Sequence, residues 1–145
     1  MMVKEFREQT RQLECHLENM NKTSCCCGVS TSQCFLIVEI GRKPGISVKE
    51  LSHILHIDKS SVSRAVEDLV QNELVERTSS KEDRRYVVLN LSPKGQKRFE
   101  KIENDMYLKF EKILNNIPKE MHEQVINALK IYNDACLMVE ENSYD

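Results

Sequence analysis

No apolar run in this chain approaches the roughly 20 residues that a membrane-crossing helix needs. The opening stretch, MMVKEFREQTRQLECHLENMNK, is charged throughout and has none of the apolar character of a secretory leader. There is no G-x-S-x-G, no phosphate-binding P-loop and no H-E-x-x-H, so an enzyme reading has little to rest on. The absence of any C-x-x-C pair argues against a structural zinc site and a disulfide oxidoreductase. No repeat or low-complexity linker interrupts the chain. Neither charge sign dominates: the formal net charge is -2, so a basic surface must be local if it exists. These absences predict one cytoplasmic domain over residues 1–145, with no membrane partner and thiols that are reduced at rest.

What is present is mostly helical periodicity. Residues 3–22 carry Val3, Phe6, Leu13, Leu17 and Met20 on one side. Ser30 with Gln33, and Ser47 with Glu50, fit the capping box that starts a helix. Asp58 caps a fourth helix through DKSSVSRAVEDLVQNEL, with Val62, Ala65, Val66, Leu69 and Val70 inward. The short link between the last two helices predicts a helix-turn-helix. Residues 75–78 and 85–91 then change to strand character, with Val87, Leu89 and Leu91 alternating against Tyr86, Val88 and Asn90. A hairpin after a helix-turn-helix is a winged helix. Ser92 and Pro93 open a long helix with Phe99, Ile102, Met106, Phe110, Ile113 and Ile117 in its stripe. Pro118 opens the last, striped by Met121, Val125, Ala128, Tyr132, Ala135 and Val139. The predicted fold class is mainly α with a small β-hairpin wing.

The helix from Asp58 presents Lys59, Ser60, Ser61, Ser63 and Arg64 in its first turns, cations and short donors suited to phosphates and base edges. Its later turns carry Glu67, Asp68 and Glu73, which phosphates repel, so only its front half is expected in a groove. Ser47, at the start of the preceding helix, joins the expected DNA contacts, as do Lys81, Asp83, Arg84 and Arg85 around the hairpin turn. A solvated polar helix face and an ordinary charged hairpin tip are the bland alternatives. Residues 47–95 hold eight basic and eight acidic side chains, so binding requires cations turned to DNA and carboxylates turned away.

The blocks LSHILHIDKSSVSRAVEDLVQNELVER, EDRR and LNLSPKG, in this order within residues 29–95, resemble the winged-helix core of the MarR family of bacterial transcription regulators. The resemblance implies a sequence-specific regulator, a repressor, that binds a near-palindromic operator in double-stranded DNA as a homodimer. Residues 1–22 and 96–141 fall where the family has its dimerisation helices. It further implies that Asp83 holds the wing loop by pairing with an arginine and that Arg85 reaches the minor groove. Small-molecule effectors are common in the family. The competing reading is a thiol-rich metal-binding or protein-interaction module that uses the winged fold without DNA.

One stretch stands apart from this scheme. SCCCGVSTSQC, residues 24–34, gathers Cys25, Cys26 and Cys27 between the first two helices and Cys34 in the opening turn of the second. Three readings stay open. The thiols are small apolar fillers, which fits Cys136 and partly Cys34 but poorly Cys15. Alternatively, Cys25, Cys26, Cys27 and Cys34, with Cys15 or His16 completing a set, bind a soft metal or metalloid ion. The third reading is a redox sensor, with a thiol activated near the start of the Ser30 helix. His53 and His56 lie elsewhere, and their spacing alone is a weak metal signal.

Overall fold

A computed structural model describes residues 1–24 and 30–143. In chain order it contains α1 (Met2–Ser24), α2 (Thr31–Arg42), α3 (Val48–Leu55), α4 (Lys59–Gln71), β1 (Val75–Ser79), β2 (Val87–Leu91), α5 (Pro93–Asn115), a 3-10 turn (Lys119–Met121) and α6 (His122–Asn142). The chain divides into two compact units, Met1–Met106 and Tyr107–Asp145.

The core of the first unit is made by α2, α3, α4 and the base of the hairpin. Leu36, Ile37 and Ile40 of α2 meet Leu51 of α3 and Val62, Val66 and Leu69 of α4. Ile46, Leu74, Val75 and Leu89 close it. Each side chain withdrawn this fully from water contributes about 1.5–3 kcal/mol before the entropy of ordering is set against it. The α4 members fall at spacings of four and three, so that helix buries one stripe and leaves its opposite face to solvent.

Strands β1 and β2 pair antiparallel, from Val75 opposite Leu91 out to Ser79 opposite Val87. Ile46 adds a one-residue bridge to Leu89. Leu89 is buried as its alternation predicts, and Leu91 is half-buried. Val87, on the same face as Leu89, is 48% exposed, because it lies at the far end of the hairpin beyond the reach of the core.

Helix α4 was expected to continue to Leu74 but stops at Gln71. Asn72 caps it and Glu73 takes a left-handed conformation, φ 62°, so that Leu74 turns into the core. Glycine usually occupies such a position, and a glutamate there gives no local warning of the break.

Ser92 opens α5 as expected. Its hydroxyl accepts from the Gly95 N–H at 2.9 Å and donates to the Glu73 carbonyl. Lys94 Nζ donates to the Asn72 carbonyl at 3.0 Å. Gly95 is buried so tightly against the residue before β1 that an added Cβ would lie 1.9 Å from the Leu74 carbonyl oxygen. Further along, Phe99 and Ile102 pack on the core.

Helix α1 buries little: Val3, Phe6, Leu13 and Leu17 all remain exposed. In the second unit, α5 ends at Asn115, so Ile117 lies beyond the stripe it was assigned to. Pro118 leads into the 3-10 turn, and α6 begins only at His122. Val125, Tyr132 and Cys136 are half-buried, while Phe110, Ile113, Ile126, Leu129 and Met138 are exposed.

Candidate nucleic-acid interface

Helix α3 starts at Ser47, whose hydroxyl accepts from the Glu50 N–H at 3.1 Å, and the Glu50 carboxylate closes the capping box. Lys43 also reaches that carboxylate, and its hydrogen bond holds Glu50 below the usual glutamate range. Ser47 therefore spends its hydroxyl on the helix rather than on solvent. The turn after α3 depends on His56 in a left-handed conformation, φ 54°, and on Ser52, whose hydroxyl donates to the Ile57 carbonyl.

Asp58 then caps α4. Its carboxylate accepts from the Ser61 N–H at 2.9 Å and from the Ser61 hydroxyl at 2.7 Å. The Ser61 hydroxyl bond, then the backbone bond, holds the Asp58 carboxyl below the usual aspartate range. Arg64 Nη2 donates to the Ser61 hydroxyl at 3.3 Å. Ser61 is thus a strut inside the helix start. Lys59, Ser60, Ser63 and Arg64 are the exposed members of the expected reading set.

At the hairpin tip, Lys81, Arg84 and Arg85 are exposed and Asp83 is half-buried. The arginine that Asp83 holds is Arg85 itself: Nη2 lies 2.9 Å from Oδ2, and the Arg85 N–H donates to Oδ1 at 3.1 Å. The Arg85 hydrogen bond lowers the Asp83 pKa, and the same bond raises that of Arg85. The Arg85 side chain nonetheless remains 85% exposed. Loop closure is completed by the Ser80 N–H donating to the Tyr86 carbonyl at 2.8 Å.

Sequence reasoning missed a partnership between α4 and β1. Glu67 pairs with Arg77 of β1, Nη2 to Oε2 at 2.6 Å. No spacing rule links a helix residue to a strand residue ten positions on, so only the tertiary arrangement could reveal it.

A groove of about 280 Å³ separates the start of α2 from α4, with Leu36 and Val62 in its wall and Ser30, Gln33, Ser61 and Arg64 around it. Of the thiols, Cys15 is exposed, while Cys34 and Cys136 are half-buried, Cys34 against the core. Cys25, Cys26 and Cys27 lie outside the described residues. Among the described residues, no three His, Cys, Asp or Glu side chains are grouped to hold a metal ion. No helix among them is long and apolar enough to cross a membrane.

A profile of the MarR family matches residues 28–85. The HTH-type transcriptional regulator BilQ of Clostridium symbiosum is 32% identical over 103 residues, which span 71% of this chain and 72% of that protein. The HTH-type transcriptional repressor MdtR of Bacillus subtilis is 29% identical over 86 residues, 59% of this chain and 53% of that one. Among solved structures, Staphylococcus aureus MarR in complex with salicylate and kanamycin superposes with a TM-score of 0.83 at 20% identity, covering 95% of this chain and 94% of that one. Streptococcus pneumoniae FabT in complex with DNA gives 0.77 at 20% identity, covering 90% and 99%. At these identities the structures speak to the fold, and the fold is the winged helix that the residues build. With the family profile and the BilQ relative added to that architecture, the chain belongs to the MarR family of DNA-binding helix-turn-helix transcriptional regulators, not to the enzymes.

Proposed function

We propose that the protein is a homodimeric repressor that holds a near-palindromic operator with the front of α4 and the arginine-tipped hairpin, and releases it when an effector acts on the segment before α2. The observation that carries this is the fate of three of the carboxylates. Eight acids match eight bases over residues 47–95, which makes a uniform basic surface impossible. Yet Asp58 is turned into its own helix, Glu67 is held by Arg77 and Asp83 by Arg85. Lys59, Ser60, Ser63, Arg64, Lys81 and Arg84 are left exposed around them. The front of α4 adds free N–H groups and the positive end of its dipole, both of which favour phosphate.

Dimerisation is supported by apolar side chains that face solvent in the single chain: Val3, Phe6, Leu13 and Leu17 on α1, and Ile126, Leu129 and Met138 on α6. In a dimer the two α4 helices meet successive major grooves about 34 Å apart. The effector step is assigned to Cys25, Cys26 and Cys27, assisted by Cys15, because Ser30, just beyond that segment of the sequence, borders the same groove as Ser61 and Arg64. Cys34 packs on the core and serves as an apolar filler.

The test is anisotropy of the purified chain with duplexes from its own upstream region, over a range of salt. Binding is expected to weaken steeply with salt, and Arg64→Ala and Arg85→Ala each to reduce the log–log salt slope by about one per lost phosphate contact. Insensitivity of binding to both substitutions overturns the contact assignment. Titration with Zn(II), Cu(I), arsenite and peroxide then follows operator release. A Cys25, Cys26, Cys27 triple serine variant that responds like the parent removes the thiols from the mechanism.

A further inference from the structure

The Glu67–Arg77 pair joins the two elements that the DNA-binding reading needs to act together. Glu67 lies three residues beyond Arg64, and so close to the same face of α4. Arg77 stands opposite Leu89 in the hairpin register, which puts both side chains on the same side of the sheet. Leu89 uses that side to enter the core, whereas Arg77, at its rim, reaches α4 and meets Glu67 at 2.6 Å. Outward of this point the hairpin leaves the core: Ser79, Tyr86 and Val87 are exposed. The pair itself is accessible, with both side chains 44% exposed, so it adds little to folding stability.

We propose that Glu67 and Arg77 are positioning residues, whose ion pair fixes the angle of the wing to the recognition helix so that Arg64 and Arg85 engage one duplex at once. The proposal rests on the DNA-contact reading above. It runs against bare electrostatics, and that makes it testable by sign. A carboxylate beside Arg64 should repel phosphates, so if charge alone mattered, Glu67→Gln would tighten binding to every duplex alike. If the pair sets geometry, Glu67→Gln loses the operator preferentially.

The measurement is anisotropy of the full chain with an operator duplex and with a random duplex at several salt concentrations, alongside thermal unfolding. For Glu67→Gln the operator-to-random affinity ratio is expected to fall about ten-fold, comparable with one mismatched base pair, with the thermal midpoint unchanged. The exchanged variant, Glu67→Arg with Arg77→Glu, rebuilds the pair in reverse and is expected to recover much of the ratio. A ratio that holds or rises in Glu67→Gln overturns the proposal, as does a fallen ratio that the exchange does not recover at all. Failure of the parent to bind any duplex in a salt-sensitive way overturns the DNA-contact reading as well, and so is distinct from both.

Discussion

Replacing Gly95 with alanine tests how α5 is seated on the DNA-binding unit. Alanine ordinarily stabilises a helix relative to glycine by up to about 1 kcal/mol. Here the new methyl would lie 1.9 Å from the Leu74 carbonyl oxygen and 2.9 Å from its carbon. Both atoms are backbone, so no side chain can swing aside. The start of α5 must retreat by at least about 1 Å, and overpacking of this kind costs about 1–3 kcal/mol. The retreat also stretches a local set of hydrogen bonds: Ser92 N–H to Leu74 O at 3.0 Å, Ser92 Oγ to Glu73 O and Gly95 N–H to Ser92 Oγ at 2.9 Å. Weakening these adds about 1–2 kcal/mol. The expected loss is therefore about 2–5 kcal/mol, opposite in sign to the helix preference. Urea unfolding followed by circular dichroism, at one fixed protein concentration, should move the midpoint down by about 1–2 M. Gly45→Ala is the control: nothing lies within 4 Å of its Cβ, and only its φ of +84° opposes the change. It should cost about 1 kcal/mol. A Gly95→Ala protein as stable as the parent would refute the packing argument.

Three further outcomes follow from the same reasoning. Glu73→Gly should raise the thermal midpoint slightly, since glycine accepts φ 62° without the penalty a side chain brings, partly offset by its freer unfolded chain. The Asp58 carboxyl should titrate below an ordinary aspartate by NMR, because Ser61 bonds to its charged form. Its folded pKa is depressed, so the α4 cap is fully present above the unfolded pKa and is lost as pH falls through the lower folded value; helicity and operator affinity should decline together in that acid range. Cys34→Val should fold with less than about 1.5 kcal/mol of change and leave the response to arsenite and peroxide intact, as a half-buried filler at the core edge would.

The parts of the fold that were legible in the sequence were those built from local hydrogen bonds. Ser30 with Gln33, Ser47 with Glu50, Asp58 and Ser92 each bond within three residues, so their spacing alone marks four helix starts. The front of α4 was legible for the same reason. Its end was not, because Glu73 adopts a backbone shape that its residue type rarely takes. Alternation put Leu89 and Val87 on one face of the strand, but only Leu89 is buried, since period two gives the face and not how far the core extends along it. The partners of Glu67 and Asp83 were illegible or only half legible: a carboxylate in a row of charges looks the same whether it repels phosphate or is already engaged.

The seat of α5 also has a mechanical meaning. Ser92 and Gly95 fasten it to the chain leaving α4, and Lys94 grips the carbonyl of Asn72 at that helix's very end. These attachments gather within four residues, leaving little slack between the first turn of α5 and the rear of the reading head. A twist of that turn would carry the end of α4 with it, the helix on whose front the proposed function places Arg64.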